Sequence, residues 1–101
     1  MIARRKQYPI WLDGAKILVD QTTVKGRVTR YSVTLVAWIE ERWETIRVFD
    51  NVHGRHEMHR YTRSGGKQSG ILVYHGENGA AMRAAKDWIE NSYERMIEGW
   101  L

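Results

Sequence analysis

From Arg30 the chain alternates. In RYSVTLVAWIE, Tyr31, Val33, Leu35, Ala37 and Ile39 fall on one face and Ser32, Thr34, Val36 and Trp38 on the other. A period of two with many β-branched residues marks a strand. After a short polar connection at Glu41 and Arg42, WETIRVFD resumes the pattern, with Trp43, Thr45, Arg47 and Phe49 set against Glu44, Ile46 and Val48. Strands joined this tightly pair antiparallel. Upstream, Ile10, Leu12, Ile17 and Val19 flank Asp13-Gly14, a hairpin signal, and Lys25-Gly26 reads as a second turn. Downstream, DNVHG predicts a turn, HEMHRYT a strand, RSGGKQSG a mobile loop and ILVYH a last short strand.

The period then changes. From about Gly79, Met82, Ala85, Ile89, Met96 and Trp100 recur at helical spacing, widened by Ala81, Trp88 and Ile97, with Asn78 as N-cap. This predicts one amphipathic helix of about five turns. Its stripe needs a partner, either the sheet or a second helix across a homodimer. The predicted fold is therefore α+β: an antiparallel sheet of four to six strands with one C-terminal helix on one face.

With 101 residues, 28% charged and 43% hydrophobic, the chain reads as a single domain over 1–101, with residues 1–9 as a flexible basic arm ending at Pro9. Nine Gly and one Pro exclude collagen-like chains, and 11% aromatics argue against disorder. No apolar run reaches the ~18 to 20 residues of a membrane span, and the N-terminus lacks the apolar core of a signal peptide. With no Cys there are no disulfides, thiolate zinc sites or Cys nucleophiles. A cytoplasmic protein without membrane contact is the expectation. Five Trp, five Tyr and one Phe are expected mostly in the core.

Charge is distributed unevenly within the net +4. Residues 1–30 carry seven Lys/Arg and two Asp, and residues 52–68 carry four Lys/Arg and one Glu; the intervening and C-terminal stretches are acidic. A clustered basic surface attracts phosphate. Arg55, Arg60, Tyr61, Arg63 and Lys67 are the candidate nucleic-acid contacts, with RNA as the expected partner.

Three of four His lie in DNVHGRHEMHRY, residues 50–61. On an extended strand Glu57, His59 and Tyr61 share one face, and His56, Met58 and Arg60 the other. Three readings compete. In RNA cleavage, His59 with His53 or His56 transfers protons, Asp50 orients a His, and Arg55 clamps phosphate. In metal binding, His53, His56 and His59 are spaced three apart, which divides them between faces; no metal and no cofactor are expected. In the structural reading the His side chains bond across strands. HGENG at 75–79 offers either an anion site at a helix N-terminus or a plain turn and cap. The P-loop, GxSxG, dinucleotide and HExxH patterns are absent.

The stretch from Tyr31 to Gly66 resembles the signature region of the TumE-like toxin components of toxin–antitoxin modules, through Phe49, Asp50, Asn51, His53, Gly54, His56 and His59. Phe49 stands where that family usually has Tyr, and the RYTRSGGKQSG segment departs from it. The resemblance implies a small toxin acting on RNA or the translation machinery, neutralised by a helix-turn-helix antitoxin; the residues themselves suggest an endoribonuclease using His53, His56 and His59 with Asp50. The alternative is a non-enzymatic module binding nucleic acid or protein. An enzyme requires at least two of these His with Arg55 or Arg60 in one accessible cleft; a binding module spreads them over a flat or convex surface.

Overall fold

A computed structural model describes all residues, Met1–Leu101. Six strands form one sheet in chain order: β1 (Ala3–Leu12), β2 (Ala15–Val24), β3 (Arg27–Ile39), β4 (Arg42–Asp50), β5 (His56–Arg60) and β6 (Ile71–Tyr74). Every neighbouring pair is antiparallel. Helix α1 (Asn78–Trp100) follows and packs on β3 and β4. This is the α+β architecture expected from the alternation and the helical stripe.

The turns follow from their residues. Lys25 and Gly26 both have positive φ (51° and 76°), the geometry of a tight two-residue hairpin. Glu40 and Glu41 adopt the same conformation (52° and 64°) without a Gly, so this turn carries backbone strain.

Alternation then sorts the side chains. Facing the helix are Ile17, Val19, Tyr31, Val33, Leu35, Phe49 and Met58, all buried, against Ala81, Met82, Ala85, Ile89, Met96 and Trp100. The centre of the expected stripe is thus buried against the chain's own sheet, while Trp88, expected to widen it, stays 43% exposed. Its N-cap is Glu77 and not Asn78. The Asn78 amide is spent otherwise: it donates to Val28 O (3.0 Å) and accepts from Asn51 Nδ2 (3.1 Å), tying the helix start to β3 and the β4–β5 turn.

The expected flexible arm over residues 1–9 is instead most of β1. Ala3 to Leu12 pair with Val24 to Ala15 without a register break. Tyr8, Ile10 and Leu12 pack against the core, so the basic residues Arg4, Arg5 and Lys6 extend a strand whose inner end is anchored. Pro9, which lacks an N–H, is tolerated because β1 is an edge strand.

Candidate functional site

The three His of the 50–61 segment do not converge. His53 is exposed in the turn before β5. His56 and His59 lie on opposite faces of β5, as their spacing and strand geometry require.

His56 points to the helix side. Its Nε2 donates to Gly76 O (2.7 Å) and its Nδ1 accepts from the Tyr31 hydroxyl (2.9 Å). The ring stacks beside Tyr31 and edge-on to Tyr74. Both ring nitrogens are therefore committed to fold contacts. Burial, with a smaller push from Asp50, raises the Tyr31 phenol to about 12, so it stays protonated and donating at neutral pH.

His59 points to the other face, beneath the loop between β5 and β6. Its Nδ1 donates to Gln68 O (3.0 Å). Its Nε2 is buried without a hydrogen-bond partner, 4.0 Å from Asp50 Oδ2 and 3.9 Å from Glu57 Oε1. Asp50 therefore does not hydrogen-bond His59; its other oxygen accepts from the Val52 N–H (3.3 Å). The register explains the cluster: Asp50 stands directly opposite Glu57, and His59 lies two residues beyond Glu57 on the same face. The ligating atoms of the three lie within 4.8 Å of one another, the one such donor group in the chain.

The expected nucleic-acid contacts divide: Arg60 and Tyr61 line one small pocket with Trp100, over which Arg63 stands, while Arg55 lies apart. Arg55 is bound to Glu57 (2.9 Å). Arg60 pairs in register with Arg47 on the helix side, where burial, and secondarily Arg60, pulls the Arg47 guanidinium below its ordinary range. Arg63 bonds Glu40 (3.3 Å) and stands over the Trp100 ring. Tyr61 forms an isolated bridge with Lys67 in the loop. No single surface gathers these five residues.

A different surface gathers aromatic and basic groups. The face of the sheet away from α1 carries Trp11, Trp38 and Trp43, exposed at 66%, 50% and 42%. Trp38 and Trp43 are cross-strand partners with ring centroids 5.2 Å apart, and Trp11 lies 6.2 Å from Trp43. The Lys16 ammonium sits 4.1 Å above the Trp43 ring and 5.1 Å above Trp11. From this cluster a groove of about 430 Å³ runs past Pro9 and Leu18 to Asp20 and Ser32. A second groove of equal size continues from Asp20 and Ser32 to Arg5 and Arg30. Arg5 holds Asp20 through a two-point ion pair (3.0 and 2.6 Å) and keeps its carboxyl below the usual range.

Most of the aromatics were expected in the core, yet three of the five Trp lie here. The signal was present in the alternation: Trp38 occupies the phase of Ser32 and Thr34, the polar side of β3. One such residue is ordinary; the contiguous patch it makes with Trp11 and Trp43 is what marks a contact surface.

One family model, described as a domain of unknown function (DUF7718), matches residues 3–101. No curated protein and no solved structure matches the chain.

Proposed function

We propose that this chain, which belongs to the DUF7718 family, is a non-enzymatic module that binds single-stranded RNA across the open face of its sheet. The observation that carries this reading is the exposed trio Trp11, Trp38 and Trp43 around Lys16. Single-stranded nucleic acid is bound where aromatic rings offer stacking platforms and cations track the backbone. Here the rings occupy one end of the face, and grooves lead from them to Arg5 and Arg30. The net charge of +4 and the basic excess of residues 1–30 favour a phosphate-bearing ligand over an acidic surface.

Binding is favoured over cleavage because proton-transfer groups are not assembled. His56 is engaged on the helix side, His59 is covered on the other, and His53 stands apart in the turn. The toxin-like reading and its helix-turn-helix partner draw their support from the sequence resemblance.

The test is a fluorescence-anisotropy titration of an unstructured, end-labelled RNA at rising salt. Saturable binding at low ionic strength is expected, with log affinity falling linearly against log salt. No binding even at low ionic strength overturns the proposal. So does self-association of the free protein that Trp43→Ala abolishes, which would assign the face to a second copy of the chain.

A further inference from the structure

We infer that Asp50, Glu57 and His59 form a binding site for a divalent metal ion of the zinc type, placed between β4 and β5 and beneath the 62–70 loop. The inference is independent of RNA binding on the exposed part of the same face.

Burial is the first observation. Asp50, Glu57 and His59 are only 4%, 4% and 6% exposed. Two carboxylates so placed carry charge that water does not solvate, and such groups are normally paired or bound to a metal. One guanidinium faces them: Arg55, held by Glu57 at 2.9 Å. Arg47 and Arg60 belong to the helix side and do not reach the cluster. With both carboxylates ionised and His59 neutral, one negative charge is left without a partner, and a divalent ion supplies what is missing.

The orientation of His59 is the second and independent observation. A backbone carbonyl only accepts, so the bond to Gln68 O puts the proton on Nδ1. In the neutral ring the Nε2 lone pair then points between the two carboxylates, buried and without a hydrogen-bond partner. Metal-ligating His residues are held in this manner, with one nitrogen on the ion and the other N–H on a carbonyl or carboxylate. A buried nitrogen with no partner is otherwise costly.

The spacing is close to what an ion needs. Ligand atoms bonded to zinc at ~2.0 to 2.2 Å stand roughly 3.3 to 3.6 Å apart. Nε2 lies 3.9 and 4.0 Å from the two carboxylate oxygens, and all three ligand atoms lie within 4.8 Å of one another, so side-chain adjustment brings them to bonding distance of one ion. One imidazole nitrogen with two carboxylates suits zinc better than magnesium, which keeps to oxygen ligands and retains its waters. The loop is shaped to this pocket. A Cβ at Gly70 would lie 2.8 Å from His59 Cε1 and 2.9 Å from Glu57 Cδ, so Gly lets the backbone close over these two ligands.

The experiment is isothermal titration of the untagged, chelator-treated full chain with zinc chloride, and in parallel with magnesium chloride. One zinc per chain is expected, with an upward shift in melting temperature and no comparable response to magnesium. Asp50→Asn and Glu57→Gln remove charge but keep shape; each is expected to weaken zinc at least roughly a hundredfold, beyond the ~10- to 100-fold typical of groups behind the ligands. His53→Ala and His75→Ala, both exposed, are expected to leave zinc uptake intact. Melting of the metal-free proteins adds a second reading: the amide variants should equal or exceed the wild type, and zinc should reverse that order. The inference is overturned by absence of stoichiometric zinc uptake, by uptake indifferent to Asp50→Asn and Glu57→Gln, by uptake lost with His53→Ala, by preference for magnesium, or by no reversal of the melting order.

Discussion

The two faces of one sheet put the same residue types to opposite uses. On the helix side, Phe49 packs on Trp88, and His56 is fixed between Tyr31, Tyr74 and Gly76 O. On the other side, Trp11, Trp38 and Trp43 stand in solvent with a lysine between them, although a small domain gains stability chiefly by burying such rings. Aromatic content alone therefore does not measure a core. The strand phase decides which rings hold the fold together and which remain available to a partner.

The largest expected effect breaks the covered face. Ile89 is fully buried between α1 and the sheet. Ile89→Asp should cost about 3 to 5 kcal/mol, because it puts an unpaired charge into the core. Urea denaturation checks this, and a variant as stable as the parent contradicts the packing described. Next comes the open face. Trp43→Ala should lower RNA affinity by about 1 to 3 kcal/mol, the range for one stacked base, while urea denaturation shows a much smaller loss of stability than for Ile89→Asp.

These two substitutions also mark how far the sequence could be read. The helix stripe and the β3–β4 hairpin were legible because their periodicities are long and need no tertiary information. The first strand was not, because Arg4, Arg5 and Lys6 interrupt its apolar pattern; pairing with β2 holds it in the sheet. The opposite faces of His56 and His59 followed from strand geometry. Their partners did not: Tyr31 and Gly76 lie 25 and 20 residues from His56, and the match of Asp50 with Glu57 depends on where β5 begins after the turn. The Trp surface was written in the phase of Trp38, but its meaning emerges only once Trp11 and Trp43 are seen beside it.

A smaller effect should come from the β3–β4 turn, where the strands carrying Trp38 and Trp43 meet. Glu41 has a positive φ of 64°. Glu41→Gly relieves strain against a loss of unfolded-state order, and should stabilise the protein by about 0.5 to 1 kcal/mol in thermal melts. A destabilised variant contradicts strain at this turn.

The remaining expected effects are in pH dependence, and they differ in direction between the faces. Burial raises the folded Tyr31 phenol to about 12 from 10. Its contribution is therefore whole below pH 10 and is lost as pH rises from 10 through about 12. On the open face, the Arg5 hydrogen bond holds the Asp20 carboxyl below its ordinary range. That contribution is present above the ordinary carboxylate range and is lost as pH falls through the lowered value. NMR titration of the Asp20 carboxyl should show the shift shrinking in salt and in Arg5→Gln; ultraviolet titration of Tyr31, read against Tyr31→Phe, should be almost insensitive to salt.

The most direct measurement of the open-face assignment uses the five tryptophans as reporters. Trp11, Trp38 and Trp43 lie on the open face, while Trp88 and Trp100 belong to α1 on the other side. Five indole N–H signals, assigned by single substitutions, can be followed by NMR as unstructured RNA is added. The expected result is saturable shifts of Trp11, Trp38 and Trp43, with Trp88 and Trp100 essentially unmoved. Shifts confined to Trp88 and Trp100, or none at concentrations that saturate anisotropy, would contradict RNA binding on this face.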